Sequence, residues 1–353
     1  MAGDDQGKLY PVEVLRDFTQ RAFTKAGVPE ADAAIVTDNL IEANLRGVDT
    51  HGITRLLAIY IKRLRAGIVN ARPNIRIVSE SPAAFVVDGD NGLGAVVGTW
   101  AMREAIRRGK EVGACWAGVR HSNHFGATAY FTLMAAAEDM VGIGMTNGPA
   151  SMAPWGGAKA YMSTNPFSFA VPAEGEPVVI DMATSVAARG HILLAATRGD
   201  KTIPEGWALD KEGRPTTDTQ AALEGTVMPM AGYKGAVISM MIDVLCGPLT
   251  GAAFGPHLGP LYGNFEKPQD IGHLLGVIDV GRMVPIQEFK SRLAQMCRVI
   301  KAVPLAAESS GIFIPGEIES AKRARRLKEG IPIPEGVRNE FLEVARELDI
   351  AFD

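Results

Sequence analysis

Every strand-like run in this chain falls between two sets of helices, and that arrangement limits its fold more than any single motif does. Apolar residues at helical spacing mark residues 12–25, 30–46 and a segment carrying Ile53, Leu57, Ile59, Tyr60 and Leu64. Gly27-Val28-Pro29, Gly47 and Gly67 supply the stops. Helical patterns return at 286–302, 317–328 and 335–348. Strand runs occupy 74–78, 84–88, 115–119, 141–146, 167–171, 178–181 and 274–280, interrupted by helices at 99–112 and 128–139. The spacing predicts a mixed α/β chain whose helical ends pack together. Its parts are a helical segment over 1–75, a mixed core over 76–302 and C-terminal helices over 303–353. Runs 167–171 and 178–181 face each other across Ala173-Glu174-Gly175-Glu176 as a hairpin. The apolar stretch 235–255 contains Asp243 and Pro248, and so reads as a buried core helix and not a membrane span.

Charge and cysteine usage exclude several classes of function. A net charge of -4, with no basic run interleaved with aromatics, argues against a nucleic-acid surface. The most basic stretch, 322–328, lies between Glu319 and Glu329 and reads as a solvated helix face. Cys115, Cys246 and Cys297 lie far apart, which fits a reducing compartment and neither a disulfide framework nor a cysteine zinc site. The acidic start, Met1-Ala2-Gly3-Asp4-Asp5, has no apolar segment of the secretory type, so the expected location is cytoplasmic.

Among segments that can carry chemistry, Leu45-Arg46-Gly47-Val48-Asp49-Thr50-His51-Gly52-Ile53-Thr54-Arg55 is the most telling. If the chain is helical from His51, then His51 and Arg55 share a face one turn apart. A histidine can deliver a proton near neutral pH, and an arginine can hold a carboxylate with two parallel hydrogen bonds. The plain alternative is a surface pair at a helix start. Gly92, Gly94 and Gly98 follow a strand run in a pattern close to a dinucleotide fingerprint, with the third glycine one position late and no acidic residue ending the next strand. His121 and His124 follow another strand, and a metal-dependent hydrolase is the rival reading they allow. No third ligand lies near them in sequence, so an orienting or structural histidine is the simpler account, and no metal is expected.

Several loops add to the picture without deciding it. Gly148 lies in a stretch rich in Gly, Pro, Asn and Ser, and Thr164-Asn165-Pro166 follows it. Ile180-Asp181-Met182-Ala183-Thr184-Ser185 ends a strand and runs toward a helix, which Thr184 or Ser185 can cap. Asp181 is a candidate to orient a catalytic histidine through its second ring nitrogen. Lys234 stands between glycines before the apolar helix, where it can reach a phosphate as a point charge, and Pro315-Gly316-Glu317 opens another helix.

Taken in order, these segments resemble the malate/L-lactate dehydrogenase family of the second type, over nearly the whole chain. The family also takes in ureidoglycolate, diketogulonate, sulfolactate and piperideine-carboxylate enzymes. The resemblance implies a non-Rossmann NAD(P)-binding fold around a largely antiparallel sheet, usually as a homodimer, so the Gly92/Gly94/Gly98 pattern becomes a decoy. It implies His51 as proton donor, Arg55 as the arginine that binds the substrate carboxylate and His124 as a proton acceptor. The cofactor, NAD or NADP, would meet Gly148, Asn165, Ile180, Asp181, Met182, Ala183, Thr184, Ser185, Lys234, Pro315, Gly316 and Glu317. Thr50 stands where many members have serine, and Ser163 where glycine is common. The substrate implied is a small 2-oxo or 2-hydroxy carboxylic acid, with reduction of a cyclic imine carboxylate as the alternative. No nucleic-acid or membrane partner is expected. A nucleotide-binding protein without catalysis is a further rival, opposed by the intact His51/Arg55 pair.

Overall fold

The structure, a computed structural model, describes residues 7–352. Its N-terminal layer holds β1 (Lys8–Tyr10), α1 (Val12–Lys25), α2 (Glu30–Leu45) and α3 (Ile53–Arg65). The core contains β2 (Arg76–Ser81), β3 (Ala84–Asp88), α4 (Gly94–Val112), β4 (Ala114–Ser122), α5 (Ala129–Ala136), β5 (Met140–Thr146), β6 (Phe167–Val171) and β7 (Val178–Met182). A small lobe follows with α6 (Arg189–Arg198), β8 (Ala208–Leu209), β9 (Pro215–Thr216), α7 (Thr219–Glu224) and β10 (Thr226–Val227). Then come α8 (Tyr233–Cys246), β11 (Ile271–Asp279), α9 (Ile286–Lys301), α10 (Glu317–Glu329), β12 (Ile331–Ile333) and α11 (Glu335–Leu348).

Seven strands form the main sheet in the order β2-β3-β4-β11-β5-β6-β7. Only β3 and β4 run parallel, and the helix that joins them, α4, supplies the crossover a parallel pair requires. Every other neighbouring pair is antiparallel, and β6 meets β7 as the expected hairpin, Val171 opposite Val178. The central strand β11 arrives from far along the chain and is buried on both faces. Leu275 and Val277 point into the core shared with α4 and α5, while Leu274 packs with Ile242 and Cys246 of α8 on the other side.

The two ends of the chain are joined as their helical patterns predict. β1 pairs antiparallel with β12, and Phe18 and Phe23 of α1 share a core with Leu40 of α2, Leu57 of α3 and Phe341 of α11.

The glycine pattern is the decoy that the resemblance implies, and two other expectations fail for identifiable reasons. The helix α4 begins at Gly94, so Gly94 and Gly98 lie within it and form no phosphate-binding turn. A Cβ on Gly94 would come within 2.1 Å of the Asn123 carbonyl oxygen, and one on Gly98 within 2.7 Å of the Phe131 ring. These glycines allow close packing of helix on strand. The apolar helix α8 is only half buried: Val237, Met240, Met241 and Val244 remain exposed. The basic run on α10 is a solvated face only in part: Arg325 and Lys328 are exposed, but Arg326 is 1% exposed and Arg323 forks onto Glu42 of α2 at 2.8 Å through Nε and one Nη. Among the described residues no helix is long and apolar enough to cross a membrane.

Candidate active site

A cavity of about 780 Å³ lies where the N-terminal layer, β7 and α10 meet. One wall is α2 and the turn after it, with Asp38, Glu42, Arg46 and His51. The opposite wall is the end of β7, Ile180-Asp181-Met182-Ala183, together with Pro315 and Gly316 ahead of α10. The loop from Gly126 into α5 closes the back.

His51 reaches this cavity from a separate 3-10 turn, Asp49–His51, and not from α3. Gly52 is extended (φ -97°, ψ -173°) and breaks the helix between His51 and Arg55. A Cβ on Gly52 would lie 2.0 Å from Asn44 Oδ1, so the turn closes tightly on α2. The shared helical face predicted for His51 and Arg55 therefore does not form. Arg55 lies outside the cavity wall, exposed, with its guanidinium 4.9 Å from the centre of the Tyr262 ring.

A set of buried polar contacts holds the turn. Arg326 of α10 donates to both carboxylate oxygens of Asp49, at 2.7 and 3.0 Å, and to the Asn44 carbonyl. Asn44 in turn donates to Asp49 Oδ1 at 2.6 Å, and Thr54 Oγ1 donates to the Asp49 carbonyl at 2.8 Å. Sequence reading missed Arg326 because its partner lies 277 residues away. A lone arginine in a charged helix carries no signal of an inward role.

His124 stands beyond the end of β4, its ring 5.6 Å from that of His51 and inclined by 22°. Burial pushes His51 down to about 4. Burial also pushes His124 down to about 3, helped by the nearby charge positions of His51, His273 and Arg63. Both rings are therefore neutral near pH 7. His51 Nδ1 lies 2.9 Å from Thr50 Oγ1, and His124 Nδ1 lies 2.7 Å from the Tyr60 hydroxyl. His121 is bound elsewhere, its Nδ1 3.2 Å from Asp88, so the two histidines of this segment face different partners. Among the described residues no three His, Cys, Asp or Glu side chains gather as metal ligands.

Asp181 does not orient a histidine. Its carboxylate accepts the Ala129 N–H at 2.7 Å, at the start of α5, and the ring-orienting contact on His124 belongs to Tyr60. The Asp181 side chain keeps exposed surface and lines the cavity. Burial raises its carboxyl to about 6 against the pull of the Ala129 and Thr128 N–H groups.

The remaining predicted residues divide into two groups. Ile180, Asp181, Met182, Ala183, Pro315 and Gly316 line the cavity. Gly148, Asn165, Thr184, Ser185, Lys234 and Glu317 lie outside its wall. Asn165 is fully buried and donates to the Ser239 carbonyl at 2.9 Å. Thr184 donates to the Thr164 carbonyl and Ser185 to that of Ala187, so neither caps a helix; α6 starts only at Arg189. Glu317 pairs with Lys301 at 2.5 Å and accepts the Ile314 N–H. Gly148 adjoins Ser163, and Lys234 is exposed on the first turn of α8.

The family model of malate/L-lactate dehydrogenase matches residues 10–341. The chain belongs to that family. The family assignment covers both walls of the cavity, from the His51 turn to the start of α10. Malate dehydrogenase of Pyrococcus horikoshii is 39% identical over 348 residues, covering 96% of this chain and 95% of that protein. L-sulfolactate dehydrogenase of Methanothermobacter thermautotrophicus is 39% identical over 343 residues, covering 97% and 98%. Among solved structures, sulfolactate dehydrogenase of Methanocaldococcus jannaschii superposes with a TM-score of 0.92 at 38% identity, over 98% of each chain. The Δ1-piperideine-2-carboxylate reductase of Pseudomonas syringae superposes at 0.86 with 28% identity, over 96% of this chain and 100% of that one.

Proposed function

We propose that this protein interconverts a small 2-hydroxy acid and the corresponding 2-oxo acid with NAD or NADP. The observation that carries this reading is the stacked pair of neutral histidines, one of them on a cavity wall opposite Ile180-Asp181-Met182-Ala183 and Pro315-Gly316. The cavity volume lies within the range of ligand sites, about 300–1,000 Å³. Leu133, Met134, Ile180 and Phe313 offer apolar surface to flat rings, and Asp181 and Glu319 offer acceptors to sugar hydroxyls. These residues fit a dinucleotide, which would supply or take up hydride at the carbon next to the carboxylate.

The side chains of the protein do the rest. In oxidation, neutral His51 takes the hydroxyl proton; in reduction, a bound carboxylate raises the His51 pKa and lets it return that proton. Arg55 makes no ion pair with any carboxylate of the described residues, and stacking on Tyr262 limits the directions it samples. It would hold the substrate carboxylate with its fork.

The test is the change in nicotinamide absorbance with NADH and NADPH. The panel is pyruvate, oxaloacetate, sulfopyruvate, diketogulonate and piperideine-2-carboxylate, the keto acids being run with and without methylamine. Turnover of a plain keto acid supports the reading. Turnover of the cyclic imine alone, or only with amine present, would replace it with imine reduction. The reading also carries a homodimer, supported by the exposed apolar face of α8 and by α9, where no residue is buried. Light scattering that returned a monomer of 37.6 kDa would remove that part.

A further inference from the structure

We propose that Tyr60 is the positioning residue that fixes the tautomer of His124, so that His124 presents an Nε2–H to the reacting oxygen while His51 moves the proton. The proposal rests on the hydroxy-acid reading above, and it changes the role of His124 from proton acceptor to hydrogen-bond donor.

The Gly126 backbone N–H points at His124 Nδ1 from 3.4 Å, and a backbone N–H can only donate. His124 Nδ1 therefore carries a lone pair, and the ring proton of the neutral imidazole sits on Nε2. The Tyr60 hydroxyl lies 2.7 Å from the same Nδ1 and 3.2 Å from the His124 carbonyl oxygen. An unprotonated Nδ1 has nothing to donate, so the single hydroxyl proton of Tyr60 is shared between Nδ1 and the His124 carbonyl oxygen, the shorter contact to Nδ1 taking the larger part. At 2.7 Å that contact is the stronger of the two that set the tautomer.

Tyr60 is 4% exposed, and burial raises its phenol well above the ordinary value, so it always holds the proton it donates. The charged and titratable groups facing His124 are His51 from the 3-10 turn, His273 from β11 and Arg63 from α3, all of which disfavour a second ring proton. No carboxylate stands among them. The backbone of His124 is fixed separately, its N–H donating to Gln269 Oε1 at 3.0 Å. Loss of the phenol hydroxyl thus removes the hydrogen bond at Nδ1 and leaves the ring's place in the fold intact.

The test reads the ring directly. In protein labelled with ¹⁵N-histidine, long-range ¹H–¹⁵N correlations distinguish a proton on Nε2 from one on Nδ1. The His124 signals are those lost in His124→Gln. The expected wild-type result is a proton on Nε2. In Tyr60→Phe the ring should become a mixture of tautomers. Its titration should also move to higher pH, because the hydrogen bond favouring the neutral form is gone. In the same variant kcat should fall about tenfold, as for other second partners of a working histidine, with KM for the cofactor within about twofold and the acid limb of the profile shifted upward. A wild-type His124 protonated on Nδ1 would overturn the proposal, and so would an unchanged tautomer in Tyr60→Phe. The wild-type spectrum decides by itself if the variant fails to fold. Should the spectra come out as expected while neither protein turns over any hydroxy or oxo acid, the functional reading fails and the tautomer assignment stands.

Discussion

The two histidines occupy neighbouring places but are held in opposite ways. His51 sits on a short turn between helices, anchored by an ion pair to α10 at the other end of the chain. His124 follows the end of a sheet strand and is held by neutral hydrogen bonds from Tyr60 and Gly126 and to Gln269. An ion pair fixes direction through charge and fails abruptly when one partner is lost. Neutral contacts set the proton's location without adding charge to a site that must stay neutral. The contrast shows a division between holding the group that moves a proton and holding the group that guides it.

The largest effect should separate the two rings. His51→Ala should lower kcat by roughly 10²–10⁴, the range for loss of a general acid or base. His124→Ala, measured alongside, should fall less. Equal losses would end the division of roles. Next, Arg326→Ala should cost about 3 kcal/mol of stability by urea unfolding, the low end for breaking a buried ion pair, because Asp49 keeps some access to water. It should lower kcat more than Tyr60→Phe does. A variant of normal stability and normal kcat would show that the His51 turn needs no anchor.

Acid should affect both rings together. His51, His124 and the core residue His273 have folded values of about 4, 3 and 3, against an ordinary 6.5. The unfolded chain binds protons first, so the stability these neutral rings contribute is complete above pH 6.5 and is lost as pH falls from 6.5 toward 3. Thermal unfolding followed from pH 7.5 to 4 should therefore show a falling Tm, with a shallower fall in His124→Gln. A Tm independent of pH over that window would mean the rings are not buried neutral. The smallest effect belongs to Arg55→Lys, which should raise KM for the acid by about tenfold with kcat little changed, because one ammonium cannot form the fork. An unchanged KM would leave the carboxylate to another cation, with Arg46 on the cavity wall as the next to test.

Much of the fold was legible. The helices over 12–25 and 335–348 and the strand over 167–171 lie where their periodicity put them, because long amphipathic patterns and glycine stops act locally. Gly94 and Gly98 misled on their own, since the same residue serves a phosphate turn and a close helix–strand contact. The hydroxyls of Thr184 and Ser185 also misled, because a nearby carbonyl competed with the helix end. At the site, His51, His124 and the Ile180–Ala183 and Pro315-Gly316 segments could be named from sequence, and the structure gathers them around one cavity or beside it. Tyr60 and Arg326 could not, because each looked like an ordinary member of a helical pattern.

The sequence by itself determined the family, the helical ends, the hairpin and the residue types able to handle a proton and a carboxylate. These depend on spacing of a few residues or on many motifs kept in order. Tertiary structure alone decided that His51 and Arg55 leave a common helix face, that Asp181 holds α5 and not a histidine, and that a tyrosine of α3 reaches the ring of His124. Each of these contacts competes with other partners for one lone pair or one proton. The winner is set by distances between elements 52 to 277 residues apart, which no local pattern records.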